Sequence, residues 1–219
     1  MNQRPILLGL FLLAASLACS PATSPSPSTP SELPSSAQSA LARAIADTQS
    51  EAPPLPEGFT LETESIVGVS IARPAGWARD AGTKELPVSG APVNYVVYYN
   101  ASPGAIEMMN IQTLGFYYRY ESESDLIRDT LGANEDKVAS TNLRVIDFAS
   151  STTVASRPAQ AMSYRIDDER YGLPLFSVIV IIGTSDNRAI ILQWAANEDM
   201  RAETTELFLT MLPTVSLIP

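Results

Sequence analysis

The chain of 219 residues contains no histidine and a single cysteine. These absences exclude a zinc site built from histidine and cysteine, as well as a Ser-His-Asp or Cys-His catalytic system. One cysteine cannot form an intrachain disulfide, so a folded domain must be stabilised by its apolar core. Neither of the two lysines, Lys84 and Lys137, follows a serine at the S-x-x-K spacing, and no glycine-rich phosphate loop is present. The sequence therefore predicts no catalytic residue, no metal site and no cofactor.

Positive charge is also scarce, since 14 basic side chains face 24 acidic ones and the net charge is −10. Nucleic-acid binding depends on neutralising phosphates with lysine and arginine, so this balance argues against a nucleic-acid partner. Such acidity is typical of a soluble extracytoplasmic domain. Carboxylate chemistry and calcium binding through oxygen ligands remain open.

The N-terminus carries the clearest signal in the chain. Two positive charges, on the amino terminus and on Arg4, precede an apolar run over residues 6–17. This run is too short to span a bilayer and is typical of a secretory signal. The run ends at Cys19, in a segment that resembles the bacterial lipoprotein lipobox, although Ser16 stands where most lipoboxes have leucine. The resemblance implies a signal peptide over 1–19, acylation of Cys19 and a membrane anchor. The alternative is a plain secretory signal with an incidental thiol.

A proline-rich segment follows. Residues 20–57 contain eight of the seventeen prolines, with repeated Ser-Pro and Thr-Pro steps, which predicts a disordered linker. An alanine-rich island over 35–49 interrupts it and predicts a short helix or a docking segment.

Residues 58–219 predict one folded domain of the α+β class. Alternating apolar residues and turn-forming sequences place its strands at 59–66, 67–73, 94–99, 105–116, 143–148, 159–166, 173–182 and 189–195. The stretch 80–92 is predicted as a loop, and helices are predicted over 122–131 and 198–211. Short connections between strands require antiparallel pairing. The expected architecture is an antiparallel sheet flanked by helices.

The segment Gly68-Val-Ser-Ile-Ala-Arg-Pro-Ala-Gly-Trp77 resembles the opening of PsbP-like and Mog-like domains, and an Arg157-Pro-Ala turn and a terminal helix agree with it. The resemblance implies an αβα sandwich that acts as a non-enzymatic accessory protein. Some cyanobacterial members associate with photosystem II. Histidines that bind metal in some members have no counterpart here, so no functional residue is carried over.

Six of the eight tyrosines lie between Tyr95 and Tyr120. On a strand, Tyr95 and Tyr99 share one side while Tyr98 takes the other. Exposed tyrosine and arginine are enriched at binding hot spots. The sequence predicts a patch for an unknown protein partner, formed by four residues: Tyr98, Tyr118, Arg119 and Tyr120. Alternatively, half of these rings pack inward.

Two remaining groups are predicted to be structural. The consecutive acids Asp167, Asp168 and Glu169 indicate a solvated turn, and Trp77 and Trp194 indicate core positions. The predicted function is that of a lipid-anchored extracytoplasmic accessory protein, on the outer membrane or periplasmic face of a Gram-negative cell or in a thylakoid lumen. The alternatives are a small-molecule or ion carrier, a carboxylate-based enzyme of the envelope and a photosystem II assembly factor.

Overall fold

A computed structural model describes residues 39–49, 54–85, 92–102, 106–115, 117, 119–130, 142–167 and 173–218. The predicted signal peptide, Cys19 and most of the predicted linker lie outside these ranges. Two antiparallel sheets and three short α-helices make up the described fold.

Seven strands form the large sheet, in the order β3-β4-β5-β9-β8-β7-β6. Their bounds are β3 Ala78–Glu85, β4 Pro92–Tyr99, β5 Glu107–Leu114, β6 Leu143–Val154, β7 Arg157–Ile166, β8 Leu175–Gly183 and β9 Ala189–Asn197. Strands β8 and β9 are buried along their whole length, because they are central and covered on both sides.

The small sheet has the order β1-β2-β10, with β1 at Phe59–Glu64, β2 at Val69–Pro74 and β10 at Ser216–Leu217. The helices are α1 (Ala40–Thr48), α2 (Glu123–Thr130) and α3 (Arg201–Met211). A 3-10 turn at Glu198–Met200 precedes α3, and another at Leu212–Thr214 follows it.

Residues alternate between the two sides of the large sheet. We call the side that carries Val96, Ile111 and Leu192 the front face, and the side that carries Ile181 and Ile191 the back face. The front face packs against α1, α3 and the small sheet, through a cluster that includes Ile45, Ile71, Phe208 and Met211. On the back face, Tyr120, which precedes α2, and Leu126, within α2, pack in one cluster with Met162 and Ile179.

The predicted fold class is wrong. The structure is mainly β: the second layer on the front face includes a three-stranded sheet, and the α-helices have only 9, 8 and 11 residues. An antiparallel sheet flanked by helices in an αβα sandwich does not describe it. Part of the error is β3, predicted as loop from residue 80 because Ala81, Gly82 and Thr83 lack an apolar alternation.

Helix α1 was placed by sequence in the linker, yet it is part of the core. Leu41, Ala42 and Ile45 are buried, and the backbone N–H of Leu41 donates to Asp147 Oδ2 at 2.8 Å. The short helix predicted for this island is confirmed, but it belongs to the folded unit.

Two local features follow directly from the residue types present. The turn over Pro74-Ala75-Gly76 connects β2 to β3, and Gly76 has a φ of +86°, a conformation that favours glycine. Ser122 caps α2, because its Oγ accepts from the backbone N–H of Asp125 at 3.2 Å. Within the described ranges no helix is long and apolar enough to span a membrane.

Candidate functional site

Tyr98 of the predicted tyrosine-arginine patch is completely buried on the front face. Its hydroxyl donates a hydrogen bond to Glu64 Oε1, and the guanidinium of Arg73 lies 5.2 Å from the centre of its ring. Tyr98 therefore presents no surface to a partner.

Tyr120 is also buried, but among the residues of the back face. Its backbone N–H donates to Gln160 Oε1 at 2.8 Å, and its carbonyl accepts from Gln160 Nε2 at 2.7 Å. Arg119 is exposed, and Tyr118 lies outside the described residues. The structure thus places Tyr98 and Tyr120 on opposite sides of the sheet, where they cannot form one exposed patch. Of the four residues, Arg119 alone is described as exposed.

Glu64, Arg79 and Tyr98 form what we call the junction cluster, where the small sheet meets the large one. Arg79 donates two hydrogen bonds to the Glu64 carboxylate, from Nε to Oε1 at 2.6 Å and from Nη2 to Oε2 at 2.7 Å. Glu64 is 7% exposed and Arg79 45% exposed as side chains. The cluster links the end of β1 to β3 and β4, so its role is to hold the two sheets together.

The junction cluster shifts the protonation of its members. Hydrogen bonding to Arg79 lowers the pKa of Glu64 below its usual value of 4.5, against the opposing effect of burial. Burial raises the pKa of the Tyr98 phenol, and its hydrogen bond to the Glu64 carboxylate raises that pKa further. Glu64 is therefore a charged structural group at neutral pH, and its lowered pKa is the opposite of what a general acid requires.

Replacing Glu64 by glutamine is expected to reduce the free energy of unfolding at pH 7 by about 1–2 kcal/mol, because the hydrogen bonds to Arg79 lose their charge assistance. The loss is limited because Arg79 is half exposed to solvent. A carboxyl whose pKa is lowered on folding contributes stability above its unfolded pKa and loses it as the pH falls through the folded value. The difference between wild type and Glu64→Gln should therefore shrink between pH 7 and pH 3. Urea unfolding at both pH values measures it.

The control for this experiment is Glu206→Gln, a change at an exposed position of α3. It should leave stability unchanged at both pH values. An equal deficit of Glu64→Gln at pH 7 and pH 3 would show that the carboxylate charge is not what stabilises the junction.

The back face holds a second polar group, which we call the amide site: Asn110 and Gln112 on β5 and Gln193 on β9. Asn110 and Gln193 are paired directly across the two strands, and Gln112 lies two residues along on the same side. All three are at least nine-tenths buried. Gln193 Nε2 donates to Tyr164 Oη at 2.9 Å and to Ser177 Oγ at 3.2 Å. Four strands thus bring amide and hydroxyl groups together on the back face.

Two atoms of the amide site have no hydrogen-bond partner in the structure. They are Asn110 Oδ1 and Gln112 Oε1, and both are shielded from solvent. An unpaired buried acceptor costs about 1–3 kcal/mol. The fold therefore leaves two buried acceptors to which no group in the structure donates.

Tyrosines flank the amide site. Tyr95 is paired across the strands with Gln112, and Tyr99 with Met108, so both lie on the back face. The Tyr95 ring extends towards β3 and lies close to Gly82, where a side chain would crowd it. Lys84 Nζ is 5.7 Å from the centre of the same ring, and burial lowers the pKa of Lys84 to about 8.

Sequence reasoning missed the amide site. Asn110 and Gln112 alternate with Met109 and Ile111, a pattern that normally indicates a strand with one solvated side. The pairing of β5 between β4 and β9 buries that side instead. The sequence shows two amides at successive positions of one strand face. Only the strand order shows that this face is buried.

The other residues weighed from sequence are structural where they are described. Asp167 accepts from Arg165 at 2.8 Å, and Trp194 is buried in the front-face core, as predicted. Trp77 is partly buried against the same core. Asp168 and Glu169 lie outside the described residues. Among the residues that the structure describes, no three histidine, cysteine, aspartate or glutamate side chains are grouped to hold a metal ion.

No protein family and no curated protein matches the sequence. Among solved structures, LpqN of Mycobacterium tuberculosis, which is involved in cell envelope biogenesis, is 10% identical, with a TM-score of 0.36 over 76% of this chain and 82% of its own. PA94 of Pseudomonas aeruginosa, a protein of unknown function, is 14% identical, with a TM-score of 0.32 over 74% of this chain and 96% of its own. Similarity at this level assigns neither a family nor an activity. The resemblance to PsbP-like and Mog-like domains stays a prediction.

Proposed function

We propose that the chain is a non-catalytic accessory protein of the bacterial cell envelope, anchored through a lipid on Cys19 and acting by contact with a partner near the membrane. The observation that carries the proposal is Cys19 itself, at the end of an apolar run too short to span a bilayer. Stable anchoring generally takes more than one acyl chain, and bacterial lipoproteins of the kind that the lipobox resembles carry three.

The position of α1 sets the number of residues between Cys19 and the folded unit. Because α1 starts at Ala40 and packs into the core, 20 residues separate Cys19 from the folded unit, rather than the 38 of the predicted linker. Fully extended, 20 residues reach about 70 Å. The domain would therefore act within that distance of the membrane surface.

The non-catalytic part of the proposal is supported by the chemistry of the chain. Histidine is absent, and the most buried carboxylate among the described acidic residues, Glu64, has a lowered pKa and is held by Arg79. Nothing in this arrangement favours the carboxylate-based enzyme.

Changing Cys19 to serine tests the anchor. We expect the wild-type chain in the membrane fraction with an acylated N-terminal cysteine, and the Cys19→Ser chain to lose both the acyl chains and more than about nine-tenths of its membrane attachment. Fractionation and mass spectrometry of the N-terminal peptide measure the two effects.

Ser20→Ala is the matched control, because it leaves the thiol in place and should remain membrane-bound. An unmodified thiol on a freely diffusing wild-type protein would refute the anchor.

The contact role has its own test. Cross-linking followed by affinity purification of the lipidated protein from its own membranes should recover a reproducible protein partner, and Arg119→Glu should weaken the recovery if the exposed arginine contributes. Recovery of photosystem II subunits would single out the narrower alternative of an assembly factor. Absence of any reproducible partner would contradict the contact role.

A second candidate function is carriage of a small molecule. One observation favours it: the two unpartnered acceptors of the amide site, Asn110 Oδ1 and Gln112 Oε1. Ligand sites in proteins are mostly apolar with a few converging polar groups, which is the composition of this part of the back face.

A further inference from the structure

The amide site lacks partners that the same fold supplies to an amide elsewhere. Gln160, on the back face of β7, accepts from the backbone N–H of Tyr120 and donates to the carbonyls of Tyr120 and Ser150 at 2.7 and 2.9 Å. Buried amides in this sheet can therefore be satisfied by neighbouring backbone. Asn110 Oδ1 and Gln112 Oε1, two residues apart on β5, are not, and neither is Asn197 Oδ1 at the end of β9. Leucine or methionine at positions 110 and 112 would bury a similar volume without that cost.

Charge restricts what could supply the missing hydrogen bonds. The back-face positions of β4, β5, β8 and β9 carry no charged side chain, whereas β3 places Asp80 and Lys84 on this face, beyond β4. The uncharged side chains are Val93, Tyr95, Val97, Tyr99, Met108, Asn110, Gln112, Leu114, Leu175, Ser177, Ile179, Ile181, Ala189, Ile191, Gln193, Ala195 and Asn197. A charged ligand at Asn110 and Gln112 would lose its hydration without gaining a counter-charge from β4, β5, β8 or β9. The net charge of −10 further disfavours an anion.

Hydrogen-bond chemistry restricts the ligand further. An amide side chain presents one edge that accepts and one that donates, and a hydroxyl group can complement both. Asn110 and Gln112 are two residues apart on one face, so several hydroxyl groups on one small ring could reach both. Tyr95 and Tyr99 on the same face are partly exposed and offer ring surfaces to the apolar side of such a ring.

We propose that Asn110 and Gln112, backed by the Gln193-Tyr164-Ser177 network, form the binding site for a neutral, hydroxyl-rich small molecule of the saccharide type. The proposal rests on the second candidate function, the carriage of a small molecule. It is independent of the lipid anchor, because the site is formed by the folded unit alone.

Saccharide binding to the full-length chain tests the proposal. The protein is held in a detergent without a sugar headgroup and titrated with glucose, galactose, maltose and lactose, and with glycerol as the smallest polyol. Saturation-transfer NMR reports contact and its dependence on concentration. We expect at least one of the sugars to bind, and the Asn110→Leu/Gln112→Met variant to bind it at least about tenfold more weakly.

Gln49→Met is the matched control. Gln49 is an amide at the end of α1, on the front side of the sheet, and its Oε1 accepts from the backbone N–H of Ala155. This variant should bind the sugar like wild type. Absence of binding to every sugar, binding of glycerol alone, or equal binding by the double variant would each overturn the proposal. These outcomes leave the anchor untouched, since the anchor is judged by the Cys19→Ser experiment.

Thermal unfolding without ligand separates a binding role from a structural one. If the amide oxygens are kept for a ligand, removing them should raise the unfolding temperature of the double variant and of Gln112→Met alone. If they instead organise a buried water that stabilises the fold, both variants should unfold at a lower temperature. That second result would overturn the proposal.

Discussion

Replacing Trp194 by alanine is expected to lower the free energy of unfolding by about 3–5 kcal/mol, the usual cost of truncating a large buried aromatic residue. Trp194 is completely buried at the middle of the front-face core. Its ring meets Phe208 of α3 edge to face, with centroids 4.9 Å apart and planes at 72°, and its Nε1–H lies 3.4 Å from Met211 Sδ. Alanine would remove these contacts with Phe208 and Met211 and leave a cavity.

The matched control is Trp194→Phe, which keeps an aromatic ring and loses the contact with Met211. It should cost distinctly less than alanine, about 1–2 kcal/mol. Urea unfolding followed by far-ultraviolet circular dichroism measures both, so that the signal does not depend on the tryptophan removed. A deficit below about 1.5 kcal/mol for alanine would show that the front face collapses around the gap.

The sequence predicts strands well where apolar alternation is strong. The strands of the β1-β2 pair follow from it, whereas β8 and β9 were predicted from continuous apolar runs. The hairpin of β6 and β7 is longer than predicted, because β6 continues to Val154 and the predicted Arg157-Pro-Ala turn is the start of β7. Strand β3 was missed because its residues are small or polar, and the strand owes its structure to hydrogen bonding with β4 rather than to its own burial pattern. Tertiary pairing overrides local propensity there.

Alternation also predicts the sides of the tyrosines correctly. Tyr98 packs with the front-face core, whereas Tyr95 and Tyr99 pack with Val97 and Met108 on the back face. Alternation does not predict how deeply a side chain is buried. The sequence gives no indication that Glu64, 34 residues away, accepts from the Tyr98 hydroxyl, or that a second layer covers that side. A binding patch was therefore predicted where the fold has a junction.

The same limit applies to the amide site. The strand that contains Asn110 and Gln112 was predicted, but its neighbours in the sheet were not, because β5 pairs with β9, about 80 residues further along. Long-range pairing decides whether an alternating polar side faces water or the interior. The chemistry of the site becomes visible only when β4, β5 and β9 are side by side.

Replacing Ile45 by alanine is the second large effect that we expect, with a loss of about 2–4 kcal/mol in the free energy of unfolding. Ile45 is completely buried, although it lies in a stretch whose composition indicates a linker. Nine residues are too few for a stable isolated helix, so α1 depends on its contacts with the core. The loss should reach the whole fold, because Leu41 and Ile45 belong to the same cluster as Trp194.

Ala46→Ser, one residue further and exposed, is the matched control and should change stability by less than about 0.5 kcal/mol. Hydrogen exchange of the Leu41 amide, which donates to Asp147, shows whether the helix detaches separately. Faster exchange at Leu41 together with reduced global stability would establish that the folded unit starts near Ala40. Unchanged global stability in Ile45→Ala would show that α1 belongs to the linker rather than to the folded unit. The segment between Cys19 and the folded unit would then be longer, and the domain would reach further from the membrane.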